Sequence, residues 1–213
     1  MDQARLSALT CHGLRQAAAR IGASFAVYRP VGTGSPLDSP AIASIDLAYT
    51  QDCSLAFRVA LAPDKPIVQL LCDPSSLQAG DYLVGTETLF VLRVDPARPA
   101  SGVLCNATLS VLQSATATQP GTNAYGGLAS SAATALATGW PASLLLRSKT
   151  EADPTRLPSD TRSAYYAVLL PAISGVTITS GMRLLDAGGN IYQIVGTQRS
   201  AFGWSISAAL QTS

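Results

Sequence analysis

The chain is poor in the residues that carry out catalysis. Its 213 residues include one histidine, His12, two glutamates, Glu87 and Glu151, and two lysines, Lys65 and Lys149. A Ser-His-Asp triad would need His12, and no Gly-x-Ser-x-Gly elbow occurs. His12 follows Cys11, but neighbours on a helix point about 100° apart, so the two do not converge on one nucleophile. No Walker loop, dinucleotide fingerprint or paired carboxylates at glycosidase spacing are present. The four cysteines, Cys11, Cys53, Cys72 and Cys105, lie far apart with no Cys-x-x-Cys pair. A zinc site needs clustered ligands, so these read as buried free thiols. The expectation is a chain without catalytic residues, cofactor or metal.

Charge is also scarce. Charged residues make up 13% of the chain, about half the usual fraction. The 14 basic and 13 acidic residues leave a net charge of +1, without the basic excess of a dedicated nucleic-acid binder. Aromatic residues are only 6%, and basic residues show neither runs nor aromatic interleaving. Hydrophobic residues reach 47%, which excludes a charge-rich disordered chain. Few surface charges protect a soluble monomer poorly against association. That balance fits a subunit covered by partners as well as an ordinary soluble domain. The longest apolar stretch, Ala164 to Ile173, is too short to cross a bilayer and contains Pro171. Asp2 and Arg5 precede no continuous apolar core, so no signal peptide is read and assembly in the cytoplasm is expected.

What is present is a helix followed by strands. Residues 3–21 read as a helix, with Leu6, Leu9, Leu14, Ala17 and Ile21 near one face and Gly22 as the stop. From residue 23 the pattern turns to short strands: 24–28, 54–61, 67–72, 82–85, 89–94 and 103–112. Residues 31–40 form a Gly/Ser/Pro loop. Residues 113–139 carry no charge and read as a linker or arm, with a short helix conceivable over 131–137. Residues 147–163 form a charged loop, and strands resume at 164–170, 176–178, 183–186, 191–197 and 203–210. The expected division is a helix over 1–22, a first β-module over 23–112, the linker over 113–139 and a second β-module over 140–213.

Two segments echo each other. Leu77-Gln78-Ala79-Gly80-Asp81-Tyr82-Leu83-Val84 resembles Ile178-Thr179-Ser180-Gly181-Met182-Arg183-Leu184-Leu185. Each then leads through a turn to an aromatic strand, around Phe90 in the first and Tyr192 in the second. Allowing a one-residue insertion, the two align as one unit used twice: a bend at glycine, a strand, a turn and an alternating strand. Small β-barrels are built this way. The fold class expected is mainly β (α+β), an N-terminal helix followed by β-barrel or β-sandwich modules.

An ordered set of motifs spans nearly the whole chain. Ala17-Ala18-Ala19-Arg20-Ile21-Gly22 is followed by Tyr28-Arg29-Pro30, then by Gly80-Asp81-Tyr82-Leu83-Val84-Gly85 and Phe90. Cys105-Asn106, Gly139-Trp140-Pro141-Ala142-Ser143, the Leu157 to Arg162 stretch, Tyr165-Tyr166 running to Pro171, and Gly203-Trp204 complete it. This set resembles the neck proteins of tailed phages of proteobacteria, the collar or gateway components between portal and tail. Some relatives carry a second cysteine where this chain has Gly102. The segment from Gly181 to Ile206 also looks like the small barrels of head–tail joining proteins. The resemblance implies a structural virion protein with no catalytic residues. Such a protein forms a homo-oligomeric ring of six or twelve copies. It meets portal or adaptor and tail proteins, and DNA passes through its channel without specific binding.

Interface residues are expected on the helix, at Leu6, Leu9 and Leu14, and in the uncharged segment, at Tyr125 and Leu128. Trp140 and Trp204 read as core. The competing reading is a carbohydrate- or host-binding β-module of a tail fibre or baseplate. That module needs an exposed aromatic platform.

Overall fold

The computed structural model describes residues 2–50, 66–95, 98–114, 133–147 and 164–211. One helix, α1 (Gln3–Ile21), is followed by twelve strands: β1 (Ala23–Tyr28), β2 (Ala43–Thr50), β3 (Ile67–Leu71), β4 (Tyr82–Val84), β5 (Thr88–Arg93), β6 (Ala100–Cys105), β7 (Ala107–Ser114), β8 (Ala133–Leu146), β9 (Tyr165–Leu170), β10 (Arg183–Asp186), β11 (Ile191–Ser200) and β12 (Gly203–Gln211). The protein is mainly β, as the strand patterns imply, and its modules are barrels.

Both barrels are closed, six-stranded and antiparallel, and they share one topology. The first runs β1-β2-β3-β6-β5-β4 and the second β7-β8-β9-β12-β11-β10. Closure leaves no free sheet edge. Alternation places Phe25, Val27, Leu83, Leu89 and Val91 inside the first barrel, while Val111, Leu184, Ile194, Ile206 and Ala208 fill the second.

The echo between the halves is a structural repeat. Gly80 and Gly181 both take the left-handed region, with φ of 91° and 87°. The Gly80 N–H donates to the Val91 carbonyl and the Val91 N–H returns to Asp81, each at 2.8 Å. Gly181, Ile194 and Met182 repeat this at 2.9 Å and 2.9 Å. Gly80 to Val91 is eleven steps along the chain and Gly181 to Ile194 is thirteen, so the second hairpin carries two extra residues.

Helix α1 is capped by Asp2, whose carboxylate accepts from the Ala4 N–H at 3.3 Å. It lies against β2 and β3. Its packed face is Ser7, Cys11, Leu14 and Ala18, and Leu6, Leu9 and Ile21 are left outside. Gly22 follows because a Cβ there would sit 2.5 Å from the Ala18 carbonyl oxygen and 2.8 Å from the Leu47 backbone.

Several sequence expectations are corrected. The strand read over 103–112 is two strands broken at Asn106, because β6 closes the first barrel and β7 opens the second. The second module therefore begins at Ala107, not at residue 140. The linker read over 113–139 holds the end of β7 and the first half of β8, which pair with each other. Residues 133–137 are strand and not helix. Residues 176–178 form no strand: Val176 and Ile178 are buried core residues in an extended segment that no ladder holds. Strand β2 has no counterpart among the strands expected from sequence. The strand read over 54–61, the loop after Arg147 to residue 163, and the rest of the uncharged segment lie outside the described residues.

Glycine at 203 has a strict requirement. Its φ is +117°, and a Cβ would lie 2.5 Å from the Leu170 carbonyl oxygen. Gly203→Ala is expected to lower stability by about 2–4 kcal/mol in urea titration. Gly196 in β11 has no atom within 4 Å of its would-be Cβ, so Gly196→Ala is expected to cost less than about 1 kcal/mol. Equal costs for the two variants would contradict the assigned packing.

Candidate functional site

Tyr28-Arg29-Pro30, Gly80 to Gly85 with Phe90, Cys105-Asn106 and Gly139 to Ser143 meet at the junction between the barrels. Ala17 to Gly22 and Gly203-Trp204 lie elsewhere, and Leu157 to Arg162 lies outside the described residues. One residue, Asn106, separates β6 from β7, so the barrels abut directly. Residues on the outer face of β4, β5 and β6 alternate away from the first barrel's interior. Tyr82, Phe90 and Val103 there share one core with Trp140, Ala142 and the interior of the second barrel. The Tyr82 ring meets Trp140 edge-on at 6.2 Å and 66°.

Polar groups fix the register of that seam. The Tyr82 hydroxyl donates to the Pro141 carbonyl at 2.7 Å in a buried contact. Burial raises the Tyr82 hydroxyl well above the usual phenol range, so it stays a donor. The Trp140 indole N–H and the Thr138 N–H both donate to the Thr33 carbonyl, at 3.1 Å and 3.1 Å. The loop after β1 is thereby tied to β8. Asn106 imitates a strand residue: its side chain accepts from the Leu144 N–H at 2.7 Å and donates to the Leu144 carbonyl at 2.8 Å.

Beside Tyr82 lies a half-buried ion pair. Asp81 is 1% exposed and takes a bidentate contact from Arg29, at 2.8 Å from Nε and 2.7 Å from Nη2. It also accepts from the Gln78 N–H at 2.8 Å. The hydrogen bond to Asp81 raises the Arg29 pKa, against a smaller opposing effect of burial. Tyr28-Arg29-Pro30 and Gly80-Asp81-Tyr82 are thus two halves of one contact. Sequence reading had both motifs and no signal that joined them.

A groove of about 450 Å³ opens at the junction, lined in part by Thr88, Cys105, Asn106, Pro141 and Asp186. Its reactive groups are already engaged. Burial pushes the Cys105 thiol up to about 12, so it is not a thiolate at neutral pH. The Asp186 carboxylate accepts from the Asn190 backbone at 2.8 Å, the Asn190 side chain at 2.8 Å and the Tyr192 hydroxyl at 3.1 Å. Burial works to raise its pKa, but these hydrogen bonds together hold it below the usual carboxylate range. Burial likewise pushes Cys72 up to about 12. Among the described residues, no three His, Cys, Asp or Glu side chains gather to hold a metal. His12 is exposed on α1, while Cys11 lies on the packed face.

The expected interface residues divide. Leu6 and Leu9 are exposed, Leu9 at 62%. Leu14 is half-buried on the face toward the barrel, away from Leu6 and Leu9. Tyr125 and Leu128 lie outside the described residues. Trp140 and Trp204 are buried in the core. The Trp204 indole N–H is a buried donor without an acceptor, and Arg199 lies over its ring at 5.7 Å.

Two predictions follow from the junction. Arg29→Ala leaves the Asp81 carboxylate buried and unpaired, at an expected cost of about 2–4 kcal/mol, moderated because Arg29 is 36% exposed. Adding Asp81→Asn should recover part of that loss; no recovery in a urea titration would contradict the charge argument. Tyr49 is pushed up to about 12 by its hydrogen bond to Glu87, and Tyr192 to about 12 by burial and then Asp186. A raised phenol pKa stabilises the fold below the unfolded value of about 10, and that contribution is lost as pH climbs through the folded value. An ultraviolet titration should therefore show Tyr49, Tyr82 and Tyr192 un-ionised at about pH 11. Ionisation of all seven tyrosines below that pH without unfolding would contradict it.

No family model, curated protein or solved structure matches the chain.

Proposed function

We propose that the protein is a structural subunit of a tailed-phage neck, not an enzyme. Identical copies form a ring of six or twelve in the virion, assembled in the host cytoplasm. The ring joins the portal or adaptor to the tail and leaves a channel for DNA. The observation that carries this reading is where these sequence motifs lie. Tyr82 with Pro141, Trp140 with Thr33 and Asn106 with Leu144 sit where the two barrels meet, and Arg29 with Asp81 ties β1 to β4 of the first barrel beside them. Residues in that role serve shape, which is what a mechanical joint requires.

Surface chemistry supports the same reading. Leu6 and Leu9, three residues apart on α1, stand exposed side by side, and exposed apolar surface suits an interaction site. A near-neutral subunit suits a channel that must release DNA, since tight phosphate binding would retain it. The carbohydrate-binding alternative needs clustered aromatic rings. Among the described residues, the exposed aromatic side chains are Tyr165 and Phe202, and both tryptophans are buried.

Purified protein added to particles that lack it should attach saturably at one capsid vertex, visible by electron microscopy. Leu9→Asp should melt at the same temperature as the parent, because Leu9 touches no core. It should weaken attachment by about tenfold or more, the scale of one lost interface anchor. Attachment away from a single vertex, or none, would contradict the neck reading.

A further inference from the structure

We propose that copies of this chain join edge to edge in one continuous antiparallel sheet, with the free edge of β11 over residues 195–200 in one copy against the free edge of β8 over residues 133–137 in the next. This inference rests on the ring reading and names its interface.

Closure removes the sheet edges within the wall of the second barrel, but two hairpins outrun that wall. Arg183, at the start of β10, pairs with Leu112 of β7 on one side and Gln193 of β11 on the other. Past that level β7 runs on to Ser114 and β11 to Ser200, so both hairpins project from the same end. The β11 backbone last meets the β10 side at Ile194, which bonds Gly181 and Met182. Over 195–200 its strand partner among the described residues is β12 alone. Strand β8 is bare in the same way. Its pairing with β9 begins only at Ser143, so over 133–137 it pairs with β7 alone, and the Thr138 N–H just beyond is taken by Thr33. Each edge is a row of backbone N–H and C=O groups that a further strand can pair.

The first barrel stops both hairpins short. Val27 pairs with Leu83 as Val111 pairs with Leu184, so the two valines are counterparts. The β1–β2 ladder ends at Val27, whereas the β7–β8 ladder continues through Leu112, Gln113 and Ser114. Arg93 and Gly196 both follow the bulge; the β5–β6 ladder ends at Arg93, whereas the β11–β12 ladder continues to Ser200 and Gly203. Pro96 and Pro99 stand where that extension would be, and proline blunts an edge. Residues 133–137 and 195–200 hold no proline and no lysine, and their one charge is Arg199, which lies over Trp204.

A second copy is the occupant because the two edges complement each other. Strands β9 and β10 are opposite in the closed order of six, so the two free edges lie on opposite sides of the barrel at one end. Strand β8 runs from that end into the barrel and β11 runs out toward it. Copies set side by side with their barrel axes aligned therefore bring these edges together antiparallel, the pairing used throughout the chain. Helix α1 lies on β2 and β3, and Ala133, Thr134, Ala135, Gln198, Arg199 and Ser200 are all exposed. One edge meets a different edge, so the contact is heterologous and closes into a ring when the rotation allows.

The test is hydrogen exchange of the full chain, read by mass spectrometry for the free protein and for protein assembled in solution or on particles that lack it. The amides of 133–137 and 195–200 that turn away from β7 and β12 should exchange freely in the free protein. In both stretches they should slow by about tenfold or more on assembly. Slowing in one stretch alone, or in neither, means that these edges do not meet, and the ring reading stands. Full protection of either stretch in the free protein overturns the open edge. Neighbouring residues in a strand turn their N–H groups to opposite sides. Of Thr197→Pro and Gln198→Pro, one therefore strikes the β12 ladder and lowers melting, while the other strikes the free edge. The variant that keeps the parent's melting temperature should raise the concentration for assembly, read by mass photometry, by about tenfold or more. If it assembles as the parent does, this interface is wrong. A parent that stays monomeric at every concentration and does not attach to particles overturns the ring reading and this interface together.

Discussion

Between Trp140 and Ser143, β8 is buried on both of its faces, and the rest of the molecule is arranged around that strand. Its inner side fills the second barrel, and its outer side receives Tyr82, Phe90 and Val103 from the first. A strand between two packing surfaces has little room for large side chains. Gly139, Pro141, Ala142 and Ser143 meet that limit around the single large residue, Trp140. Pulling the barrels apart would return Tyr82, Phe90 and Val103 to water, at about 1.5–3 kcal/mol each. It would also leave the Pro141 carbonyl without its donor. The Arg29–Asp81 pair acts one residue away from Tyr82, fixing the bend that aims that ring at β8.

The two barrels show how one frame takes different chemistry. At the glycine bend, the Asp81 carboxylate accepts from the Gln78 N–H at 2.8 Å, and in the second barrel the Met182 thioether takes that place toward Thr179 at 3.4 Å. The outer face that is apolar in the first barrel, with Tyr82, Phe90 and Val103, becomes Arg183, Gln193 and Ala209 in the second. An apolar face suits a permanent seam within a chain. A polar one suits a surface that must stay soluble until a partner arrives. The difference between copies of the repeat is therefore where function is expected, while their common backbone is a matter of stability.

Much of the frame was legible because it rests on local rules. The Gly80 and Gly181 bends, the strands after them and the helix stop at Gly22 each follow from a backbone requirement. Strand β8 was not legible, since alanine, threonine, glycine and a proline spell linker in any local scale. Its strand form is imposed by the two surfaces it separates, with the ladder shifted near Leu109 and Val111 where it bends. Strand β2 hid for a related reason: Asp46 interrupts Ile45 and Leu47, although the alternation of Ile45, Leu47 and Tyr49 is present. The exposed positions Leu6 and Leu9 could be named from the helix. The packed face could not, because Ser7, Cys11 and Ala18 are too small to announce themselves.

A joint between capsid and tail needs its two barrels to act as one mechanical body. Native-state hydrogen exchange, read by mass spectrometry along the chain, tests that most directly. The slowest amides of β5 and of β11 should open with the same free energy and the same urea dependence, as parts of one cooperative unit. If one barrel opens fully while the other keeps its protection, the junction is only a contact between independent domains, and the two barrels are not one body.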